Sequence, residues 1–142
     1  MPVFFFIEDV SIKLKHKNIL KKWLKTIVEA EHKQTGTINY IFCSDAYLLN
    51  LNQTYLKHDT LTDIITFPYN EAQDLIISGD IYISTERVSE NAVVFDTSFE
   101  NELNRVMAHG MLHLIGYGDK TKAENKLMRQ KEDFCLQIRA SL

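Results

Sequence analysis

Hydrophobic residues repeat at helical spacing over residues 15–33, where they would line one face of an amphipathic helix. That face consists of Ile19, Leu20, Trp23, Leu24, Ile27 and Val28. The segments on either side, Pro2–Ile7 and Thr37–Cys43, have the branched and aromatic composition of β-strands. Gly36 is predicted to break the helix before the second strand.

The middle of the chain predicts a helix followed by a hairpin, and Ser44 or Asp45 can cap this helix. The predicted segments are a helix to about Tyr55, a polar loop over Lys57–Thr62, a strand over Ile64–Phe67 that ends at Pro68, and a strand over Leu75–Ser84. The two strands are predicted to pair as a hairpin because they follow one another closely.

Three more helices are predicted in the remaining sequence. Thr85 can cap a helix over Glu86–Val94, and a last helix is predicted over Ala123–Ile138. Between them, Ser98 and an acidic first turn open a helix that the pattern buries deeply. Its predicted core residues are Leu103, Val106, Met107, Met111, Leu112 and Leu114.

These elements predict an α+β fold in which a mixed four-stranded sheet packs with four to five helices. The long helical crossover favours parallel pairing of the first two strands, and the hairpin adds an antiparallel pair. A length of 142 residues fits a single domain over 1–142.

Composition is ordinary for a globular protein, with 45% hydrophobic and 25% charged residues. The apolar run Val3–Ile7 is too short for a membrane span, and two cysteines argue against a disulfide scaffold, so a cytoplasmic location is expected.

A net charge of −3 gives no overall attraction to nucleic acid. Phosphate contact would need a local basic surface, and the lysines between residues 13 and 25 form either such a surface or a solvated helix face.

The candidate chemistry lies in the spacing His109-x3-His113-x5-Asp119. Two histidines four residues apart on a helix lie on the same face, so both imidazoles can reach one ion. Gly116 and Gly118 can end the helix and fold the chain back, which allows Asp119 to supply a third ligand. Three protein ligands with an open fourth position are typical of a catalytic zinc site.

Gly110 occupies the position where H-E-x-x-H zinc peptidases have the glutamate that acts as general base. The longer metzincin pattern is otherwise matched, with Asp119 in place of the last histidine. The chain therefore has the metal ligands of that class without its proteolytic base, which makes peptide hydrolysis the weaker hypothesis.

Three stretches of the sequence resemble the YbeY family. The first is H-G-M-L-H-L-I-G-Y over residues 109–117, with a ligand residue two positions later. The second runs from L-N-Q-T-Y at residue 51 to T-D-I-I-T-F-P at residues 62–68, and the third is S-G-D-I-Y-I-S over residues 78–84. The resemblance implies a metal-dependent endoribonuclease that prefers single strands and acts in ribosomal RNA maturation.

Two positions depart from the family pattern. Asp119 stands where the family usually has a third histidine, and aspartate is a competent ligand for zinc that also tolerates harder cations such as manganese. Leu56 stands where the family has an arginine. A cation that contacts phosphate must then come from Lys57, His58 or Arg105, although Arg105 could instead pair with Glu102 or Asp119.

The hypothesis from the sequence is a zinc-dependent endoribonuclease, with one ion held by His109, His113 and Asp119. The resemblance implies ribosomal RNA and the small ribosomal subunit as partners, and no membrane association is expected. Two alternatives stay open. One is a ribosome-assembly binding module whose metal is structural, and the other is a zinc metallopeptidase with a degenerate motif.

Overall fold

The computed structural model describes residues 3–56 and 62–142, with residue 56 described by its backbone alone. Within these ranges the chain forms four strands and five α-helices. They are β1 (Val3–Ile7), α1 (Lys17–Ala30), β2 (Gln34–Cys43), α2 (Asp45–Leu51), β3 (Ile64–Pro68), β4 (Ile76–Ser84), α3 (Thr85–Val94), α4 (Phe99–Ile115) and α5 (Lys122–Ala140). The predicted mixed α+β fold is confirmed.

The strands form one sheet in the order β1-β2-β4-β3. β1 and β2 pair in parallel, as do β2 and β4, since helices connect the strands of each pair. β3 and β4 form the predicted antiparallel hairpin, in which Thr66 lies opposite Ile81. β3 therefore lies at the edge of the sheet, beside β4.

Helix α4 is the central helix of the main hydrophobic core. Its apolar residues share this core with residues of the sheet and of α1, α3 and α5. All six residues of α4 that were predicted to lie in the core are buried. The hydroxyl of Tyr40 on β2 donates to the carbonyl of Met107 at 2.8 Å, which joins the helix to the sheet. A smaller cluster of Cys43, Leu48 and Ile65 packs α2 on the opposite face.

Helix α1 packs against α5 through Trp23. Its side chain is fully buried, as predicted, and its indole N–H donates to the carbonyl of Cys135 on α5 at 2.8 Å. Met128 and Cys135 of α5 are buried in the same core. None of the helices in the described ranges combines the length and apolar character that crossing a membrane requires.

The end of α1 differs from the prediction at Gly36. The helix ends at Ala30, and the chain turns at His32, whose φ of 60° is left-handed. Gly36 lies inside β2, beside an irregularity in pairing with β4 between Thr35 and Ile38. A β-carbon at Gly36 would collide with the Ser78 side chain, so the glycine permits close strand contact and does not break the helix.

The caps and the ends of the other helices differ from the prediction in smaller ways. Ser84 caps α3 by accepting a hydrogen bond from the Arg87 amide, so the predicted cap, Thr85, is instead the first helical residue. Ser44 and Ser98 cap α2 and α4 in the same way, as predicted. Helix α2 is followed by a π-helical turn, Asn52–Leu56. Pro2 and most of the predicted Lys57–Thr62 loop lie outside the described residues.

Candidate metal centre

The structure brings together the side chains of His109, His113 and Asp119 at the C-terminal end of α4. The two Nε2 atoms lie 2.9 Å apart. Oδ2 of Asp119 lies 3.1 Å from Nε2 of His113 and 3.4 Å from Nε2 of His109. These three residues form a group whose ligand atoms are close enough to hold one metal ion.

Local helix geometry explains this convergence. His109 and His113 are one turn apart on α4, so their rings project from the same face. The helix ends at Gly116, whose φ of 125° is available to glycine at little cost. The Tyr117 amide then donates to the carbonyl of Leu112 at 3.0 Å, which turns the chain back and places Asp119 beside the two rings.

The Nδ1 atoms of His109 and His113 each have a hydrogen-bond partner, which defines which ring nitrogen carries the proton. Nδ1 of His113 lies 2.9 Å from the carbonyl oxygen of Tyr117, which can only accept. Nδ1 of His109 lies 2.7 Å from Oε2 of Glu132 on α5. Both Nδ1 atoms therefore donate, and in the neutral rings both Nε2 atoms present lone pairs toward each other and toward the Asp119 carboxylate. Three facing lone pairs repel one another unless a cation lies between them.

The spacing of the three atoms fits one tetrahedral ion. A metal with bonds of about 2.0–2.1 Å separates its ligand atoms by roughly 3.3 Å. The side chains of His109, His113 and Asp119 are 21%, 22% and 40% exposed, so a further position faces solvent. The negative end of the α4 dipole also favours a cation at this place.

Glu132 and Arg105 form the layer of contacts behind His109. Burial raises the pKa of the Glu132 carboxyl, but hydrogen bonds from His109 and Arg105 outweigh burial and lower it overall. Burial likewise lowers the pKa of His109, but the hydrogen bond to Glu132 and the negative charges of Glu132, Asp119 and Asp63 together outweigh burial and raise the pKa overall. The Glu132 carboxylate is therefore ionised and orients the His109 ring, as partners of metal-bound histidines commonly do.

Arg105 has partners that differ from the two predicted for it. Its guanidinium binds Glu132 at 3.0 Å and Asp133 at 2.8 Å, both on α5, rather than Glu102 or Asp119. This pairing joins α4 to α5 and leaves Arg105 only 18% exposed. Its contact with phosphate stays a prediction, and the other candidates, Lys57 and His58, lie outside the described residues.

A cleft of about 290 Å³ opens beside His109 and Asp119. Its other lining residues are Asp63, Phe95, Glu102, Arg105, Val106, Arg129 and Glu132. Burial raises the pKa of the carboxyls of Asp63 and Glu102. A separate, mostly apolar cavity of about 320 Å³ lies at the opposite end of α4, near Phe99, and contains none of the three candidate ligands.

The sequence interpretation missed Glu132, Asp63, Glu102 and Arg129 as residues of the site. For Glu132 a signal existed, because Met128, Glu132 and Cys135 are spaced as one face of α5 and all three are buried. A glutamate on the apolar face of a helix requires a polar partner in the core, and here the partners are His109 and Arg105.

The fold and the site together define a class: an α+β protein with an accessible candidate metal site of two histidines and one carboxylate, as in metal-dependent hydrolases. The chain belongs to the Endoribonuclease YbeY family, whose profile matches residues 5–139. The predicted family is thus confirmed.

Relatives and a solved structure agree with this assignment. The chain is 49% identical over 133 residues to the endoribonuclease YbeY of Flavobacterium psychrophilum, which covers 94% of each chain. It is 50% identical over 128 residues to that of Flavobacterium johnsoniae, covering 90% of this chain and 91% of the relative. The solution structure of a Thermotoga maritima protein superposes with a TM-score of 0.67 and 31% identity, covering 96% of this chain and 88% of the other.

Proposed function

We propose that the chain is a zinc-dependent endoribonuclease in which His109, His113 and Asp119 hold one ion. Family membership supports the reaction class. The observation that carries the metal assignment is the convergence of two Nε2 atoms and one carboxylate oxygen at 2.9–3.4 Å, with both Nδ1 atoms bound to acceptors. Two nitrogens and one oxygen suit zinc, and the oxygen also admits manganese.

When bound, the ion would polarise a phosphodiester oxygen and bring an attacking oxygen nucleophile closer to ionisation at neutral pH. Glu132 and the Tyr117 carbonyl hold the two imidazoles in the ligand tautomer. Gly110 packs against Ile64 and Ile81 of the sheet, so a side chain at this position would enter the core and not the cleft. A glutamate base of the zinc-peptidase type therefore has no place there.

We further propose that the substrate is single-stranded ribosomal RNA and that the chain acts in maturation of the small ribosomal subunit, in the cytoplasm. Family membership supports the RNA substrate. The cysteines of the described residues, Cys43 and Cys135, are both free and buried, which agrees with a reducing compartment.

Metal content and cleavage of RNA and casein by the purified chain test this function. We expect chelation to abolish RNA cleavage without unfolding the chain, and added zinc to restore it. His113→Asn should lose at least about 100-fold in cleavage rate, because one ligand is gone. The matched control is His32→Asn, which removes an exposed imidazole at a left-handed position that asparagine tolerates.

The alternatives give different results in the same experiment. Unfolding on chelation, with no cleavage of either substrate, would identify a binding module with a structural metal. Casein cleavage would identify a peptidase. RNA cleavage that survives both chelation and His113→Asn would reject the metal site.

A further inference from the structure

The cleft beside the metal centre is lined by more acidic than basic side chains. Asp63 and Glu102 line it without an ion pair among the described residues. Arg105 also lines it, but its charge is neutralised by Glu132 and Asp133. A phosphodiester in this cleft therefore needs another cation to offset the carboxylates.

Arg129 meets this need. It lies on α5, one turn before Glu132, and it lines the cleft together with His109 and Asp119. Its side chain is exposed, and no carboxylate of the described residues pairs with it. Its charge reaches Glu102, where it opposes the larger effect of burial on that carboxyl's pKa. Arg129 is thus positioned at the cleft and available to a ligand.

Phe95 supplies an aromatic surface in the same cleft. It caps the C-terminal end of α3, its side chain is 61% exposed, and it follows Val93 and Val94, which are exposed as well. Exposure of a phenyl ring at a cleft that also contains a free guanidinium is the combination that binds single-stranded nucleic acid, because bases stack on the ring and phosphates pair with the cation.

We propose that Arg129 and Phe95 form a nucleotide-binding subsite next to the metal centre, in which the guanidinium binds a backbone phosphate and the phenyl ring stacks on a neighbouring base. The subsite rests on the proposed function, since it takes the same RNA strand. At about 290 Å³ the cleft is at the small end of ligand pockets, which suits one splayed nucleotide. Through Arg129 the subsite also gives this chain a phosphate contact, although Leu56 stands where the family has an arginine.

Binding of a fluorescently labelled eight-nucleotide RNA, measured by anisotropy at several salt concentrations, tests the subsite. Arg129→Gln should weaken binding about tenfold and lower the slope of log affinity against log salt by about 0.7, the value of one phosphate contact on a single strand. Arg129→Lys should retain the slope. The matched control is Lys126→Gln, an exposed lysine on α5 that does not line the cleft, which should change neither quantity.

The stacking contact has its own variants. Phe95→Ala should weaken binding about tenfold with an unchanged salt slope, Phe95→Leu should stay weak, and Phe95→Trp should restore binding, because stacking needs an aromatic face. Circular dichroism verifies that each variant is folded. A salt slope for Arg129→Gln equal to that of Lys126→Gln overturns the phosphate contact, and equal affinity of the Phe95→Ala and wild-type chains overturns the stacking contact.

Failure of the subsite is distinguishable from failure of the proposed function. If the wild-type chain binds and cleaves RNA and Lys57→Gln alone lowers the salt slope, the function stands and the phosphate contact belongs to Lys57. If the wild-type chain neither binds nor cleaves single-stranded RNA, both proposals are wrong.

Discussion

The carboxylate of Glu132 lies 2.7 Å from Nδ1 of His109, although 23 residues separate them along the chain. The contact joins α5 to α4 directly behind the candidate metal centre. Because Glu132 is only 6% exposed, water cannot replace it as the partner of the imidazole.

Replacement of Glu132 by glutamine should weaken metal binding about 10- to 100-fold, because the imidazole loses the charged acceptor that orients it and increases its basicity. Competition with a chromogenic chelator measures the affinity. Asp133→Asn is the control, since Asp133 also pairs with Arg105 but does not touch His109. Equal loss in both variants would show that Glu132 acts only by holding α4 against α5.

Gly110→Ala should destabilise the chain by about 1–3 kcal/mol, because the added β-carbon would lie 2.8 Å from both Cδ1 of Ile64 and Cγ2 of Ile81. The better helix propensity of alanine offsets only part of this, about 1 kcal/mol. Denaturant unfolding measures the difference. Adding Ile64→Val, which removes the Cδ1 methyl, should recover part of the loss, whereas strictly additive effects would contradict the contact.

Glu31→Gln should destabilise the chain at pH 7 by about 1 kcal/mol. Burial raises the pKa of this carboxyl, but hydrogen bonds from Tyr117 and Lys131 outweigh burial and lower it below its ordinary 4.5. The stabilisation is therefore complete above about pH 4.5 and is lost as pH falls through the lower pKa of the folded state.

Denaturant unfolding of the Glu31→Gln and wild-type chains between pH 7 and pH 3 measures this loss. The gap between them should shrink below about pH 4.5. Glu29→Gln, an exposed residue of the same helix, is the control for removing one charge. A gap that stays constant over this range would contradict the ionised role of Glu31.

Cys43 and Cys135 should resist alkylation in the native chain. Burial raises the pKa of each thiol to about 12, so almost no reactive thiolate exists at pH 8. Mass spectrometry after iodoacetamide treatment should find neither cysteine modified in the native chain and both modified in denaturant. Rapid modification of the native chain would show that the core around these residues opens.

Local patterns made much of this molecule predictable. The convergence of His109 and His113 follows from helical spacing, and the position of Asp119 follows from a glycine that ends the helix. Periodicity likewise located the buried face of α4. Each of these depends on residues that are close together in the sequence, where backbone geometry decides which side chains meet.

Contacts between distant elements were not predictable in this way. The partners of Arg105 lie 27 and 28 residues away on α5, at a distance set by how two helices pack. Gly36 was misinterpreted for a related reason. Its role depends on Ser78 of the neighbouring strand, whereas the residue that turns the chain is a left-handed histidine, His32, which composition does not reveal.

The indole of Trp23 has a practical consequence. It is the chain's sole tryptophan, it is fully buried, and it is hydrogen-bonded to α5. Its intrinsic fluorescence thus reports on whether the helix that carries Glu132 and Arg129 remains docked. A chelator titration can therefore be followed by the wavelength of the emission maximum. Simple release of an ion leaves this maximum at short wavelength, whereas detachment of α5 shifts it to longer wavelength.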